Sequence, residues 1–180
     1  MIVTVSGEIG AGKSTVAQAL ARSLGLQYLS AGEIFRAEAR RRGISLAEIG
    51  RLAEQDHSID RDLDRLQVDA ARAGGVLVDS RLSGWLIEGD LRIWLRAPLS
   101  VRASRVALRD GLPLTQALLE LRAREDSERL RYREIYQIDL TDLTRYHIVM
   151  DTGMWSAEEI VDALQRLTRK FQPERSGRSS

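Results

Sequence analysis

The sequence contains no cysteine and no asparagine, and its only histidines are His57 and His147. The lack of cysteine excludes a disulfide scaffold, a thiolate metal site and a cysteine nucleophile, and two histidines are too few for a histidine-rich metal site. The lack of asparagine removes the Asn-Lys-x-Asp motif with which most GTPases read guanine. Any chemistry is therefore expected from carboxylates, hydroxyls, arginine and lysine.

Charge and hydropathy set further limits. The 180 residues carry 27 Lys and Arg against 26 Asp and Glu, a net charge of +1, so no general attraction to nucleic acid or to an anionic membrane is expected. Aromatic residues make up only 5% and do not alternate with the arginines, which also argues against nucleic-acid binding. No apolar run reaches the ~20 residues of a membrane span. We expect one compact domain in a cytoplasmic monomer.

Lysine is also scarce, because 25 of the basic residues are arginine and only Lys13 and Lys170 are lysine. Lys170 lies beside a polar segment, 172–180, which has nothing to bury and is expected to be a flexible C-terminal tail. Lys13 stands in a glycine-rich turn, in a chain that uses arginine almost everywhere else. A chemical role specific to lysine is therefore expected there.

The apolar pattern predicts strands that alternate with helices. Short apolar or β-branched runs typical of strands lie at 2–5, 27–29, 76–78, 91–95 and 148–150. Apolar residues at helical spacing lie between them, and capping-box sequences begin at Ser45 and Ser156. This order predicts an α/β fold with a five-stranded parallel sheet flanked by helices. In such sheets ligands bind at the carboxyl ends of the strands.

The first loop falls at that edge and carries a phosphate-binding motif. Residues 7–14 read GEIGAGKS and match Gly-x4-Gly-Lys-Ser/Thr between a predicted strand and a predicted helix. Glycines allow backbone N–H groups to converge on phosphate oxygens at a helix N-terminus. We expect Lys13 to reach the β- and γ-phosphates of ATP and Ser14 to bind Mg²⁺. The predicted nucleotide-binding residues are Gly7, Glu8, Ile9, Gly10, Ala11, Gly12, Lys13, Ser14 and Thr15, with the Glu8 side chain pointing outward.

A second set of polar residues follows other strands. Arg36 lies one helical turn beyond Gly32, where a guanidinium is suited to grip a second phosphate, although an ordinary surface arginine is the alternative. Asp79 and Arg81 follow the strand at 76–78. Asp79 is predicted to hold Mg²⁺ through water, and Arg81 to bind the same second phosphate as Arg36. A simple ion pair between Asp79 and Arg81 is the alternative.

The segment 122–133 has five arginines in twelve residues, and acids alternate with them. One interpretation is a solvated helix stabilised by ion pairs three and four residues apart. The other is a mobile lid whose cations close over the γ-phosphate and exclude water. Beside a phosphate-binding loop, the lid interpretation favours a kinase over a motor or a switch.

Together these motifs resemble the archaeal-type cytidylate kinases, which are P-loop nucleoside monophosphate kinases. The resemblance covers about residues 1–170, and the residues that carry it are Ser30, Gly32, Ile34, Phe35, Arg36, Ile59, Asp60, Asp64, Gln67, Arg81, Gly84, Trp85, Arg124, Glu128, Arg131, Tyr132, Ile138, Asp139 and Asp142. It implies transfer of the ATP γ-phosphate to CMP or dCMP with Mg²⁺. It also implies one kinase domain, 1–171, with an acceptor-binding insert at about 31–75 and a lid at about 122–136.

The resemblance also implies roles for individual residues. It makes Arg124 and Arg131 the lid arginines that act with Lys13 on the transferring phosphate. The implied acceptor-binding residues are Ser30, Gly32, Arg36, Asp60, Asp64, Gln67, Arg81 and Asp151, the last by similarity to a ribose-binding acid in bacterial relatives. The metal site is assigned to Ser14 and Asp79.

Three alternatives stay open at this stage. Asp60 and Asp64 are equally suited to pair with Arg61 and Arg65 along an exposed helix. The acceptor is also open, because a P-loop kinase for adenylate or a sugar acid fits the same loop. A nucleotide-binding regulator without turnover is the third alternative, and the lid arginines argue against it because a pure binder does not need them.

Overall fold

A computed structural model describes residues 1–168 and 171, and in that part of the chain it contains one five-stranded parallel sheet. The strands are β1 (Ile2–Gly7), β2 (Gln27–Ser30), β3 (Val76–Asp79), β4 (Leu91–Arg96) and β5 (Ile148–Asp151). Their order across the sheet is β2-β3-β1-β4-β5, and each neighbouring pair is parallel. The predicted fold class is confirmed.

The helices are α1 (Lys13–Leu24), α2 (Ala31–Arg42), α3 (Leu46–Gln55), α4 (Ser58–Ala73), α5 (Ser83–Leu86), α6 (Leu99–Asp110), α7 (Leu114–Tyr136) and α8 (Ala157–Thr168). The sequence predicted all of them except α5, which has only four residues. Both capping boxes are present: Ser45 exchanges hydrogen bonds with Glu48, and Ser156 with Glu159. These caps satisfy N–H groups that would otherwise lack partners at the start of each helix.

The central strands are continuous apolar runs because they lie in the core. Strand β1 lies between β3 and β4, and helices α1 and α8 pack on the sheet through residues such as Leu20 and Leu164, both fully buried. Since β1 is the central strand, its carboxyl end at Gly7 lies in the middle of the ligand-binding edge.

Helices α2, α3 and α4 connect β2 to β3 and coincide with the predicted acceptor-binding insert. Helix α3 packs against α7. The segment 122–136, predicted to be a lid, is therefore the second half of one continuous helix that already contacts the insert. The division into core, insert and lid stays a prediction, and the predicted tail at 172–180 lies outside the described residues. Among the residues that are described, no helix is long and apolar enough to cross a membrane.

Candidate active site

The loop between β1 and α1 has a backbone that only glycine accommodates. Gly10 and Gly12 both have φ of +79°. A Cβ at Gly7 would collide with the carbonyl oxygen of Leu95, and one at Gly10 would lie 2.8 Å from the carbonyl oxygen of Arg102. No side chain of the described residues caps the N-terminus of α1, so its first N–H groups remain available to an anion.

A cavity of about 530 Å³ opens above this loop. The loop residues that line it are Ile9, Gly10, Gly12, Lys13, Ser14 and Thr15, whereas Gly7 and Ala11 are buried and do not line it. Lys13 Nζ donates to the carbonyl oxygen of Glu8 at 2.9 Å. Burial, followed by the charge of Arg81, lowers the pKa of Lys13 to about 8. A cation with so little water around it is suited to bind phosphate oxygens strongly.

Glu8 does not point outward as expected. Its Oε2 atom accepts a hydrogen bond from the N–H of Ala97 at 3.0 Å and lies 3.2 Å from Nε of Arg102. Arg102 is buried, and its Nη1 also donates to the carbonyl oxygen of Ile9. The arginine thus compensates the acid and fixes the loop on α6, which is why a carboxylate is tolerated next to an anion site.

Asp79 lies 3% exposed at the end of β3 and gathers three hydroxyl groups. Its Oδ2 accepts from Ser14 Oγ at 2.7 Å, Tyr28 OH at 3.0 Å and Ser30 Oγ at 3.4 Å. The alternative of an ion pair between Asp79 and Arg81 is wrong, because Arg81 pairs with Glu128. The hydroxyl of Ser14 and the carboxylate of Asp79 are the hard oxygen donors that Mg²⁺ prefers, so these residues fit the predicted ion.

A second cavity, of about 70 Å³, lies beside the first and has residues in common with it. The residues that line both are Gly32, Arg36, Ser80, Arg81, Arg124 and Glu128. A Cβ at position 32 would lie 3.3 Å from Nη1 of Arg36, so glycine leaves room for that guanidinium. Within the described part of the chain, Arg36 and Arg124 have no hydrogen bond or ion pair. Two unpaired cations thus lie at the junction between the cavities.

Arg81, the third arginine of the junction, is held on both sides. Its Nε lies 2.6 Å from Oε2 of Glu128, and its Nη1 donates to the carbonyl oxygen at the start of the phosphate loop. Arg102 makes the same kind of bridge, because its Nη1 bonds both Glu125, at 2.6 Å, and a loop carbonyl. Glu125 and Glu128 of α7 are therefore connected to the phosphate loop through Arg102 and Arg81. These ties hold Arg124, their neighbour on α7, beside the loop.

Arg131 lies on the acceptor side of the site and not against the phosphate loop. It is 3% exposed, its Nε donates to Asp60 Oδ2 at 2.7 Å, and its Nη1 donates to Ser127 Oγ at 2.8 Å. It lines the smaller cavity and not the larger one. Its direct role in phosphoryl transfer stays a prediction.

Asp64 and Gln67 form a partly buried network with Tyr136, which sequence reasoning missed. Asp64 Oδ1 accepts from Gln67 Nε2 at 2.9 Å, and Asp64 Oδ2 accepts from Tyr136 OH at 2.6 Å. Burial raises the pKa of Asp64 to about 6. The alternative in which Asp60 and Asp64 pair with neighbouring arginines along an exposed helix is therefore wrong.

The remaining lid arginines behave differently from one another. Arg129 pairs within α7, with Nη1 at 3.2 Å from Asp126, and Arg133 lies 3.9 Å from Asp139. In the described chain, Arg129 is the only arginine of 122–133 with an ion partner inside that segment. A ladder of local ion pairs therefore accounts for little of this segment.

Asp151 lies apart from the other predicted acceptor residues, and its role in ribose binding stays a prediction. Its Oδ1 accepts from the N–H of Gly153 at 2.8 Å, and its Oδ2 lies 3.8 Å from Nε of Arg96. It lines neither of the two cavities that share the junction. The reason is topological: β5 is the outer strand on the side of β1 opposite to β3, where the acceptor residues lie.

Sequence reasoning also missed Arg105 and Arg109, which line the larger cavity. Arg105 donates to the hydroxyl and to the carbonyl oxygen of Thr152, both at 2.8 Å, and that hydroxyl donates to the carbonyl oxygen of Ala11. The available signal was their spacing of four residues on the helix that follows β4. Exposed helical arginines are so common that this spacing alone did not distinguish them.

Solved structures share this architecture. An uncharacterized protein from Eubacterium ventriosum superposes with a TM-score of 0.68 at 14% identity, covering 93% of this chain and 97% of the other. A shikimate kinase from Acinetobacter baumannii, solved with shikimate, superposes with a TM-score of 0.60 at 18% identity, covering 96% and 95%. At these identities the likeness shows the fold alone.

Sequence relatives are much closer. A cytidylate kinase from Aeropyrum pernix is 49% identical over 157 residues, which are 86% of this chain and 91% of the relative. One from Methanocella arvoryzae is 48% identical over 161 residues, with 89% and 92% covered. The model of the cytidylate kinase-like family matches residues 2–154. The predicted family is thus confirmed, and the chain belongs to the cytidylate kinase-like family.

Proposed function

We propose that this protein transfers the γ-phosphate of ATP to CMP or dCMP, giving ADP and CDP or dCDP. The observation that carries the proposal is the junction at which Arg36, Arg81 and Arg124 lie between a large cavity at the phosphate loop and a small second cavity. A donor phosphate and an acceptor phosphate are expected to meet there. The names of the relatives support the same reaction and the same acceptor.

On the donor side, the backbone N–H groups of the loop and the Lys13 ammonium bind the β- and γ-phosphates. Ser14 and Asp79 would hold Mg²⁺, which when bound neutralises phosphate charge. Asp79 is itself oriented by Tyr28 and Ser30. The polar groups are therefore in place before the nucleotide binds, which reduces the reorganisation that the reaction requires.

On the acceptor side, Arg36 and Arg81 bind the monophosphate. Ser30 caps α2 by accepting a hydrogen bond from the N–H of Glu33, and this fixes the helix that carries Arg36. Arg124, held beside the loop by its neighbours on α7, stabilises the charge of the phosphoryl group in transit. Arg131 is the second lid arginine in this proposal. Its guanidinium has to leave Asp60 before it can reach the phosphate.

A kinase for adenylate would differ only in the acceptor base, so the assay below with AMP decides between the two acceptors. One other function fits less well. A regulator without turnover would not need two unpaired arginines at the point where the cavities meet. The monomeric state and the cytoplasmic location stay predictions.

The test is an ADP-release assay with ATP and each of CMP, dCMP, UMP, AMP and GMP, in the presence and absence of Mg²⁺. We expect kcat/KM for CMP to exceed that for AMP by at least ~10², because unpaired polar groups penalise a base of the wrong pattern. A preference for AMP would change the acceptor and leave the kinase chemistry intact. ADP release that no acceptor stimulates would favour the regulator.

A further inference from the structure

One buried polar atom beside the acceptor cavity lacks a hydrogen bond. Gln67 is 1% exposed and lines the cavity of about 70 Å³, and its Oε1 atom has no hydrogen-bond partner among the described residues. Three other such side-chain atoms occur among the described residues, on Thr4, Trp85 and Tyr146, and none of these residues lines that cavity. A buried oxygen without a donor is costly, so a cavity-lining residue that has such an atom is suited to a ligand that donates to it.

The chemistry of its neighbours fixes which way the Gln67 amide faces. Its nitrogen, Nε2, donates to Asp64 Oδ1 at 2.9 Å and to the carbonyl oxygen of Leu63 at 3.3 Å. Both partners are hydrogen-bond acceptors, so only the NH₂ group of the amide can face them. The position of the oxygen is thereby determined, and it presents an acceptor with no donor of its own.

Asp64 is in turn held by Tyr136, whose hydroxyl donates to the other carboxylate oxygen at 2.6 Å. Tyr136 is the last residue of α7, and Asp64 and Gln67 lie on α4. The chain of hydrogen bonds therefore runs from the end of the arginine-rich helix, through Asp64, to the amide at the acceptor cavity. Rotation of the Gln67 amide would break its bond to Asp64 and set two acceptors against each other.

A cytosine base matches this acceptor. Its C4 amino group donates hydrogen bonds, whereas uracil has at the same position a carbonyl oxygen, which only accepts. Gln67 Oε1 thus offers the acceptor that the 4-amino group of cytosine requires and that the carbonyl oxygen of uracil cannot use.

We propose that Gln67 Oε1 accepts a hydrogen bond from the 4-amino group of the acceptor cytosine and so selects cytosine over uracil, with Asp64 and Tyr136 as the residues that position the amide. This inference rests on the proposed function, because it assumes that the smaller cavity holds the acceptor base. It identifies Gln67 Oε1 as the atom that distinguishes cytosine from uracil. It also assigns to Tyr136 a part in specificity that its position outside the cavity does not suggest.

The first test uses the unmodified protein and a change in the substrate. CMP, UMP and the 4-deamino analogue of CMP, pyrimidin-2-one riboside monophosphate, are compared in the ADP-release assay with saturating ATP and Mg²⁺. The analogue lacks the amino group without gaining an oxygen. We expect kcat/KM to fall at least 10²-fold from CMP to the analogue, and further with UMP, because a site built to bond an N–H rejects a ligand that lacks it.

The second test removes the acceptor from the protein. Gln67→Met keeps the length of the side chain and removes the amide, and Gln116→Met on the exposed face of α7 is the matched control. We expect Gln67→Met to lower kcat/KM for CMP at least tenfold while the value for the analogue changes less than threefold. Gln116→Met should leave both values unchanged.

The positioning residues are tested by conservative pairs. Tyr136→Phe removes only the hydroxyl that holds Asp64, and Tyr146→Phe, at a buried tyrosine that does not line the acceptor cavity, is its control. We expect Tyr136→Phe to reduce the preference for CMP over the analogue three- to tenfold without changing KM for ATP. Asp64→Ala should reduce the preference more than Asp64→Asn, which retains an acceptor for the Gln67 amide.

The outcomes separate the inference from the proposed function. If CMP supports no turnover in the unmodified protein, the proposed function fails. If CMP is a good substrate and the 4-deamino analogue is equally good, the proposed function stands and the assignment of Gln67 Oε1 is overturned. The assignment is also overturned if Gln67→Met lowers turnover of CMP and of the analogue by the same factor.

Discussion

The Nε atom of Arg81 lies 2.6 Å from the Oε2 atom of Glu128, and the two side chains are only 13% and 15% exposed. Arg36 lines the same junction but has no hydrogen bond or ion pair in the described part of the chain. Both arginines are proposed to bind the acceptor phosphate. They differ in their role in stability, because Arg81 also neutralises the largely buried Glu128, whereas Arg36 neutralises no acid among the described residues.

We therefore expect Arg36→Ala and Arg81→Ala to share one effect and differ in another. Both should raise KM for CMP with little change in KM for ATP. Arg81→Ala should also lower the free energy of unfolding by about 3–5 kcal/mol, because it removes the ion partner of the largely buried Glu128, whereas Arg36→Ala should change it by less than about 0.5 kcal/mol. Denaturant unfolding and steady-state kinetics measure both; a rise in KM for ATP alone would remove these residues from the acceptor site.

The second prediction concerns the protonation of Lys13 in the free enzyme. Burial, with a smaller effect of Arg81, lowers its pKa from 10.5 to about 8. Below pH 8 the ammonium is charged and attracts phosphate, and above pH 8 it is increasingly neutral. We expect kcat/KM for ATP to fall as the pH rises through about 8, since kcat/KM reports the free enzyme. Measurement of kcat and kcat/KM from pH 6.5 to 9.5 tests this.

Two variants sharpen the test. Lys13→Ala should lower turnover by orders of magnitude without unfolding the protein, because it removes charge stabilisation and not core packing. Lys13→Arg keeps a charge at every pH in the range, so any residual activity should lack the decrease near pH 8. A wild-type profile that stays level to pH 9.5 would contradict a titrating Lys13.

The residues brought together at the sheet edge were largely predictable from the sequence. Lys13, Asp79 and Arg81 each follow a strand that reads clearly as buried, and parallel strands put their carboxyl ends on one edge. The order of the strands cannot be read from the local sequence pattern, so the sequence did not show that Asp151 lies apart from the other acceptor candidates. Asp151 follows a strand as Asp79 does, but on the far side of the sheet.

The ion partners, in contrast, were not predictable. Arg131 and Asp60 are 71 residues apart, and Arg81 and Glu128 are 47 apart. Charge patterning along one helix favours local pairs, so it suggested pairing of Asp60 with its neighbours on α4 as an alternative to acceptor binding. The buried arginine on α7 outcompetes them because α7 packs over the insert and excludes water there, and such packing becomes visible only once the chain is folded.

The third prediction concerns Asp64 and the stability of the free protein. Burial raises its pKa from 3.8 to about 6, so between these values the folded protein holds a proton that the unfolded chain has lost. Stability therefore falls as the pH rises from about 4 to 6, by up to about 3 kcal/mol at 1.36 kcal/mol per pKa unit. Asp64→Asn does not titrate and should escape this loss.

The measurement is the free energy of unfolding of both proteins, without nucleotides, at pH 4, 5.5 and 7. We expect Asp64→Asn to gain stability relative to the wild type as the pH rises, and Asp62→Asn, on the exposed side of the same helix, serves as the matched control. A difference between wild type and Asp64→Asn that is constant with pH would show that Asp64 does not titrate in this range.

The fourth prediction separates catalytic from surface arginines on α7. Arg124 is half-buried at the junction, where burial lowers its pKa, whereas Arg122 is exposed and lines neither of the cavities that share this junction. Arg124→Ala should lower kcat by about 10²-fold, because the arginine stabilises charge that develops during transfer, and Arg122→Ala should leave kcat unchanged. Neither change should lower the midpoint of thermal unfolding, since neither side chain has a hydrogen-bond or ion partner in the described chain. An equal loss of kcat in both variants would mean that turnover depends on the total charge of α7. Arg124 would then have no catalytic role of its own.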